Sequence, residues 1–142
     1  MTHSLISIIQ VVIALGLLNV WLIRANRSTG YRGGAAKNIK EEFAVYGLSE
    51  NFCYFVGFLK ISCAVLLIAG LWFPPLRLPA ALIVTVLMLG AVAMHVKVGD
   101  PIKKCVPAGL MLIMSVVVSA SFYTSQQVLV VQPNVAENPN AD

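Results

Sequence analysis

The stretch SLISIIQVVIALGLLNVWLI, from Ser4 to Ile23, is apolar almost throughout and stops at Arg24. Three further stretches behave alike: Phe52 to Trp72, closed by Phe73-Pro74-Pro75; Pro79 to about Val96; and about Lys104 to Tyr123. A hydrocarbon core about 30 Å thick is crossed by roughly 20 helical residues. Four segments of that length in a chain of 142 residues leave little room for any core other than lipid and the segments themselves. Charged residues make up 11% of the chain, under half the roughly 25% of soluble domains, and the mean hydropathy is +0.84. The expected fold class is all-α, a membrane four-helix bundle over residues 1–124 with spans at about 4–23, 52–72, 79–96 and 104–123. Residues 125–142 are polar, carry two prolines and lack lysine and arginine, a composition expected to be disordered. The first span has no basic region before it and no small-x-small site after it, so the expectation is a retained span rather than a cleaved leader.

The basic residues set the expected orientation. Arg24, Arg27, Arg32, Lys37 and Lys40 lie in the first loop, and Lys97, Lys103 and Lys104 in the third; the opposite side has Arg77 alone. Loops rich in lysine and arginine stay in the cytoplasm, which places residues 24–51 and 97–103 inside and both termini outside. The net charge of +4 is therefore spent on membrane flanks. No basic face interleaved with stacking aromatics is present, and nucleic acid is not an expected partner; membrane lipid is.

The first loop is patterned. AAKNIKEEFAVYG places Ala36, Ile39, Phe43 and Tyr46 at helical spacing, with Lys37, Lys40, Glu41 and Glu42 on the other positions. That predicts a short helix over about 35–46, lying on the headgroups or capping the bundle. Before it, Tyr31-Arg32-Gly33-Gly34 reads as a turn, or as a backbone nest for an anion.

Polar residues within the spans are the candidates for function. Lys60 lies about 12 Å along a helix from Phe52, where a lysine costs on the order of 2–3 kcal/mol unless it snorkels or is paired. Asn19 and His95 sit near the same membrane face, and Asp100 begins the turn after His95. Together Lys60, His95, Asp100 and Asn19 form the expected polar cluster, with Asp100 offsetting the lysine and His95 relaying a hydrogen bond; Gln10 would extend it. Each also has a plainer reading. Lys60 could snorkel, Asp100-Pro101 fits an N-cap followed by proline at the first helical position, and His95 could be interfacial. Cys53, Cys63 and Cys105 form no CxxC and no metal spacing with the histidines, and read as small packed hydrophobes; no metal is expected.

YGLSENFCYFVGFLK, Tyr46 to Lys60, and GAVAMHVKVGDPIKK, Gly90 to Lys104, are the stretches in which the chain resembles the DoxX-like family of small four-span membrane proteins. The second carries the His-x-x-Val-Gly-Asp-Pro turn. The resemblance covers roughly Gly16 to Val118 and implies an antiparallel four-helix bundle. It implies either an accessory role in membrane redox or stress-related complexes, some of them quinone-linked, or assistance to the assembly of other membrane proteins. Many members have an acidic residue where this chain has Lys60, so no carboxylate chemistry carries over to that position. The lysine-rich first loop is similar to bacterial members, which implies a bacterial inner membrane. No nucleophile with its base, phosphate loop or carboxylate pair is present, so the isolated chain is not expected to be an enzyme. No cofactor motif occurs, although Lys60 and His95 suit a quinone. The expected protein partner is another membrane protein or a second copy of the chain, and transport ranks last because no pair of broken helices is visible.

Overall fold

Each apolar stretch closes its backbone hydrogen bonds within a helix, as lipid requires. The computed structural model describes the backbone of residues 2–136 and the side chains of residues 3–124. α1 spans Thr2–Leu18 and passes into a π-helical turn at Asn19–Ile23. α2 is Ile39–Val45, α3 Glu50–Ala69, α4 Arg77–Lys97 and α5 Ile102–Ala136. Four of these helical segments, 3–23, 50–69, 74–97 and 102–124, are long and apolar enough to cross a membrane. The chain is an all-α integral membrane bundle.

Local chemistry sets the ends. Ser49 opens α3 by accepting the Phe52 N–H at 3.2 Å, an N-cap that starts the helix two residues earlier than its apolar pattern does. Pro74 and Pro75 form a 3-10 turn that leads into α4 at Arg77, so the helix starts two residues before Pro79, which falls in its first turn, where proline is tolerated. α2 is shorter than the 35–46 expected. Asn38 caps it by accepting the Glu41 N–H at 2.9 Å, and Gly47, at φ +79°, ends it in the left-handed conformation glycine adopts without strain. α5 runs on through residues 125–136, the first part of the segment expected to be disordered. GlnGlnValLeuValVal there contains no helix breaker before Pro133. Residues 137–142 lie outside the described part.

The four long helices form a ring in the order α1, α3, α4, α5: each neighbouring pair packs together, and among the described residues the diagonal pairs do not. Ile13, Ala14, Leu67, Ala81, Val84 and Val118 fill the centre and are fully buried. Thr85 Oγ1 bonds Ser115 Oγ across α4 and α5 at 2.9 Å, a contact worth about 0.6 kcal/mol in lipid. Phe55, Phe58, Val86 and Ile113 point outward, as expected of residues solvated by acyl chains. Cys53, Cys63 and Cys105 are free, the first two buried.

Candidate functional site

Both loops that carry the basic flanks lie at one end of the ring, where α1 and α4 end and α3 and α5 begin. α2 and its approach fold over that end. Ala36, Ile39 and Tyr46, three of the apolar positions of the first loop, are buried there, so α2 caps the bundle rather than resting only on headgroups.

The cap is held by a continuous chain of buried polar groups. Arg32 is 5% exposed. Its guanidinium donates to the carbonyls of Arg24 at 2.6 Å, Ala25 at 3.1 Å and Arg27 at 3.2 Å, and to Glu42 Oε2 at 2.9 Å. Glu42 Oε1 accepts from the Gly33 N–H at 2.7 Å and from the Tyr46 hydroxyl at 3.1 Å. The Tyr46 oxygen lies 3.2 Å from His95 Nδ1, and that nitrogen is 2.8 Å from Asp100 Oδ2. Asp100 Oδ1 accepts the Gly34 N–H at 2.9 Å and Lys104 Nζ at 3.2 Å. Lys104 also donates to the Gly34 carbonyl at 2.6 Å, and Lys97 Nζ to the Tyr46 carbonyl at 3.0 Å. The Asp100 carboxylate can only accept, so His95 Nδ1 is the donor of that bond.

The paired glycines Gly33 and Gly34 therefore do bind anions, but the anions are the protein's own carboxylates, Glu42 at Gly33 and Asp100 at Gly34. Gly34 reaches this geometry at φ +55°. Gly33 must lack a side chain for another reason: a Cβ there would meet the Tyr46 hydroxyl and lie 2.6 Å from two of its ring carbons.

Burial sets the ionisation of the cap. It pushes the Tyr46 phenol well above its ordinary value, with the Glu42 carboxylate adding to the effect; Tyr46 is a neutral hydrogen-bonding group. Burial alone would also raise the Asp100 carboxyl, but the bonds from His95, Gly34 and Lys104 outweigh it and hold Asp100 below the usual carboxylate range. A folded pKa below the unfolded one stabilises the fold above the unfolded value of about 4, and that contribution is lost as pH falls through the folded value. Asp100→Asn should therefore be less stable than the parent at pH 7. The gap should narrow as pH is taken below about 4, measured by unfolding midpoints in detergent across the range.

Beneath the cap, lined by all four long helices, is a cavity of about 490 Å³, within the 300–1,000 Å³ of ligand sites. Its walls are mostly apolar, Trp21, Phe43, Met88 and Met111 among them, and its polar groups include Lys60 on one side and Glu42, Tyr46 and His95 at the capped end. The π turn carries Trp21 into the bundle, where its ring occupies the space a side chain at Gly57 would need: a Cβ there would be 2.6 Å from the ring.

His95 and Asp100 are joined directly, and His95 and Lys60 face one cavity. Lys60 does not meet Asp100, whose partners are Lys104 and His95; ten residues of α3 separate it from Glu50 at the capped end, about 15 Å. Its ammonium lies 5.2 Å from the Trp21 ring centroid, a cation–π distance, and among the described residues it has no hydrogen bond or ion pair. Lys60→Met should consequently keep the stability of the solubilised protein or raise it by up to about 2 kcal/mol, the intramembrane cost of the charge. A clear loss in detergent unfolding would mean a bonded lysine. Asn19 starts the π turn, where its carbonyl accepts the Arg24 N–H at 2.9 Å, and it does not line the cavity. Gln10 is far from the cap. It is wholly buried and donates to the Leu67 carbonyl at 2.9 Å near the opposite end of α3. The carboxylate of Asp100 bonds the Gly34 N–H instead of an amide of α5, so it ties two loops together rather than capping a helix.

Arg32, Glu42, Tyr46 and Lys104 are site residues that the pattern of the sequence assigns to other work. Arg32 and Lys104 read as topological charges, Glu42 as a wet face and Tyr46 as an apolar position. Glu42 one helical turn before Tyr46, with an arginine beside two glycines upstream, is the signal that points to them. Among the described residues no group of three His, Cys, Asp or Glu could hold a metal ion.

The profile of the DoxX-like family matches residues 8–118, which takes in the second and third spans, most of the first and fourth, the cap and every residue of the polar chain. The protein belongs to the DoxX-like family. No curated protein and no solved structure matches it. In this DoxX-like chain the His-x-x-Val-Gly-Asp-Pro stretch has a physical role: His95 lies in the last turn of α4, Gly99 turns the backbone at φ +69°, and Asp100 is returned to the histidine.

Proposed function

We propose that this DoxX-like protein is an accessory component of a membrane redox or stress-related complex of a bacterial inner membrane, and that its cavity takes a quinone- or lipid-like ligand. The cavity carries the reading: it is apolar along its length, with polar groups at one side and one end. A quinone ring would lie among Trp21, Phe43 and the methionines, with its carbonyl oxygens on donors drawn from Lys60, Tyr46 and His95. The basic flanks favour this end in the cytoplasmic leaflet and both termini outside. The sequence carries no haem, flavin or metal motif; in this reading a partner subunit supplies the electrons and this protein holds the ligand in register with it.

Trp21 lines the cavity and Trp72 lies exposed at the other end of the bundle, which makes a direct test simple. In a Trp72→Phe background a water-soluble quinone analogue should quench the remaining tryptophan emission saturably. Quenching that rises linearly without saturation would contradict the proposal.

An assembly role without small-molecule chemistry is the second reading. Gly57 and Gly70 are packed against Trp21 and Gln10 within the bundle, whereas a Cβ at Gly90 or Gly109 would meet no atom within 4 Å. A helix of another membrane protein or of a second copy could approach closely there. Co-purification of a partner after mild solubilisation, lost in Gly109→Leu, would favour this reading.

A further inference from the structure

Counting charge around the cavity sharpens the class of ligand. The cationic side chains lining it are Arg24, Arg32, Lys60 and Lys104, and the one carboxylate is Glu42. Arg32 is neutralised by Glu42 at 2.9 Å and Lys104 by Asp100 at 3.2 Å. Arg24 and Lys60 are left, and among the described residues neither side chain has an ion pair or hydrogen bond. Neither Glu42 nor Asp100 makes a hydrogen bond or ion pair with them; Glu42 is held by Arg32, Gly33 and Tyr46, and Asp100 by His95, Gly34 and Lys104.

An uncompensated ammonium within the bundle is costly unless something pairs with it. Away from the cap, Lys60 apart, the walls are apolar and reach to Gly16 and Val86, and Val86 is 68% exposed on the outer surface. The cavity is thus open to entry sideways from the bilayer along α4. Resting on the reading of the cavity as a ligand site, we propose that it selects single-chain amphiphiles with an anionic head, the head held by Lys60 and Arg24, over neutral amphiphiles. The head is defined by its charge: a carboxylate or a phosphate monoester would each supply oxygens to both donors.

The test uses the full chain in neutral detergent at pH 7.5, with Trp72→Phe so that Trp21 reports alone. Bromine-labelled probes of one chain length are titrated: an alkyl phosphate, a fatty acid and the corresponding alcohol. Both acids should quench Trp21 at concentrations at least tenfold below the alcohol. The preference should vanish in Lys60→Met/Arg24→Gln and persist in Lys60→Arg, which keeps the charge. Inorganic phosphate should not displace the bound acids, since the chain supplies much of the binding. Equal quenching by acids and alcohol, or a preference that survives the double substitution, overturns the proposal while leaving a neutral ligand site intact. Displacement by inorganic phosphate at equal concentration would reduce the site to an anion site and overturn the amphiphile assignment. Failure of every probe, quinone included, to quench saturably would remove the cavity reading itself.

Discussion

Arg32→Ala should lower the stability of the solubilised protein by about 3–5 kcal/mol, the largest effect expected of any single side chain outside the apolar centre. The guanidinium is the donor for three loop carbonyls and for Glu42. Its removal leaves the Glu42 carboxylate, 13% exposed, without its counter-charge. A buried charge stripped of its partner costs far more than the intact pair contributes. Reversible unfolding in mixed micelles of increasing SDS content would measure the loss. Arg32→Ala/Glu42→Ala should lose less than the sum of the two single variants, because the second change removes the orphaned charge. An Arg32→Ala variant within about 0.5 kcal/mol of the parent would place Arg32 among ordinary surface residues.

Gly33→Ala is the second large effect. The added methyl would overlap the Tyr46 ring, two carbons of which lie 2.6 Å from the Cβ position. Tyr46 cannot swing aside without leaving both Glu42 and His95. Overpacking of this kind costs about 1–3 kcal/mol, and the broken bonds from Tyr46 add to it. Gly30→Ala is the matched control: no atom lies within 4 Å of its Cβ position, and its effect should stay within about 0.5 kcal/mol. Equal behaviour of the two alanine variants in the same unfolding assay would count against the cap as described.

What could be read from the residues follows from the physics of each level. Spans were legible because lipid imposes length and apolarity on every helix that crosses it, and four stretches meet both conditions. Their ends were less so. Ser49 and Asn38 act through single hydrogen bonds to particular N–H groups, and the π turn at Asn19–Ile23 has no pattern that separates it from α-helix. Of the candidate site, His95 and Asp100 stood out because ionisable groups at a span end demand an explanation. Lys60 stood out for the same reason, although its neighbour is the Trp21 face and not Asp100. Arg32, Glu42 and Tyr46 were hidden because the first loop folds back on the bundle. A turn of arginine and glycines and a charged helical face look solvated until tertiary contacts bring Asp100, 66 residues away in sequence, onto Gly34.

The first and third loops are joined by one polar chain that closes the capped end of the cavity. A double-mutant cycle between Glu42→Gln and Asp100→Asn measures it most directly. The two carboxylates do not touch; Tyr46 and His95 stand between them. Coupling through that chain predicts an interaction energy above about 0.5 kcal/mol in reversible unfolding. Strict additivity of the two losses, within about 0.3 kcal/mol, would mean that the loops are stabilised separately and would contradict the account.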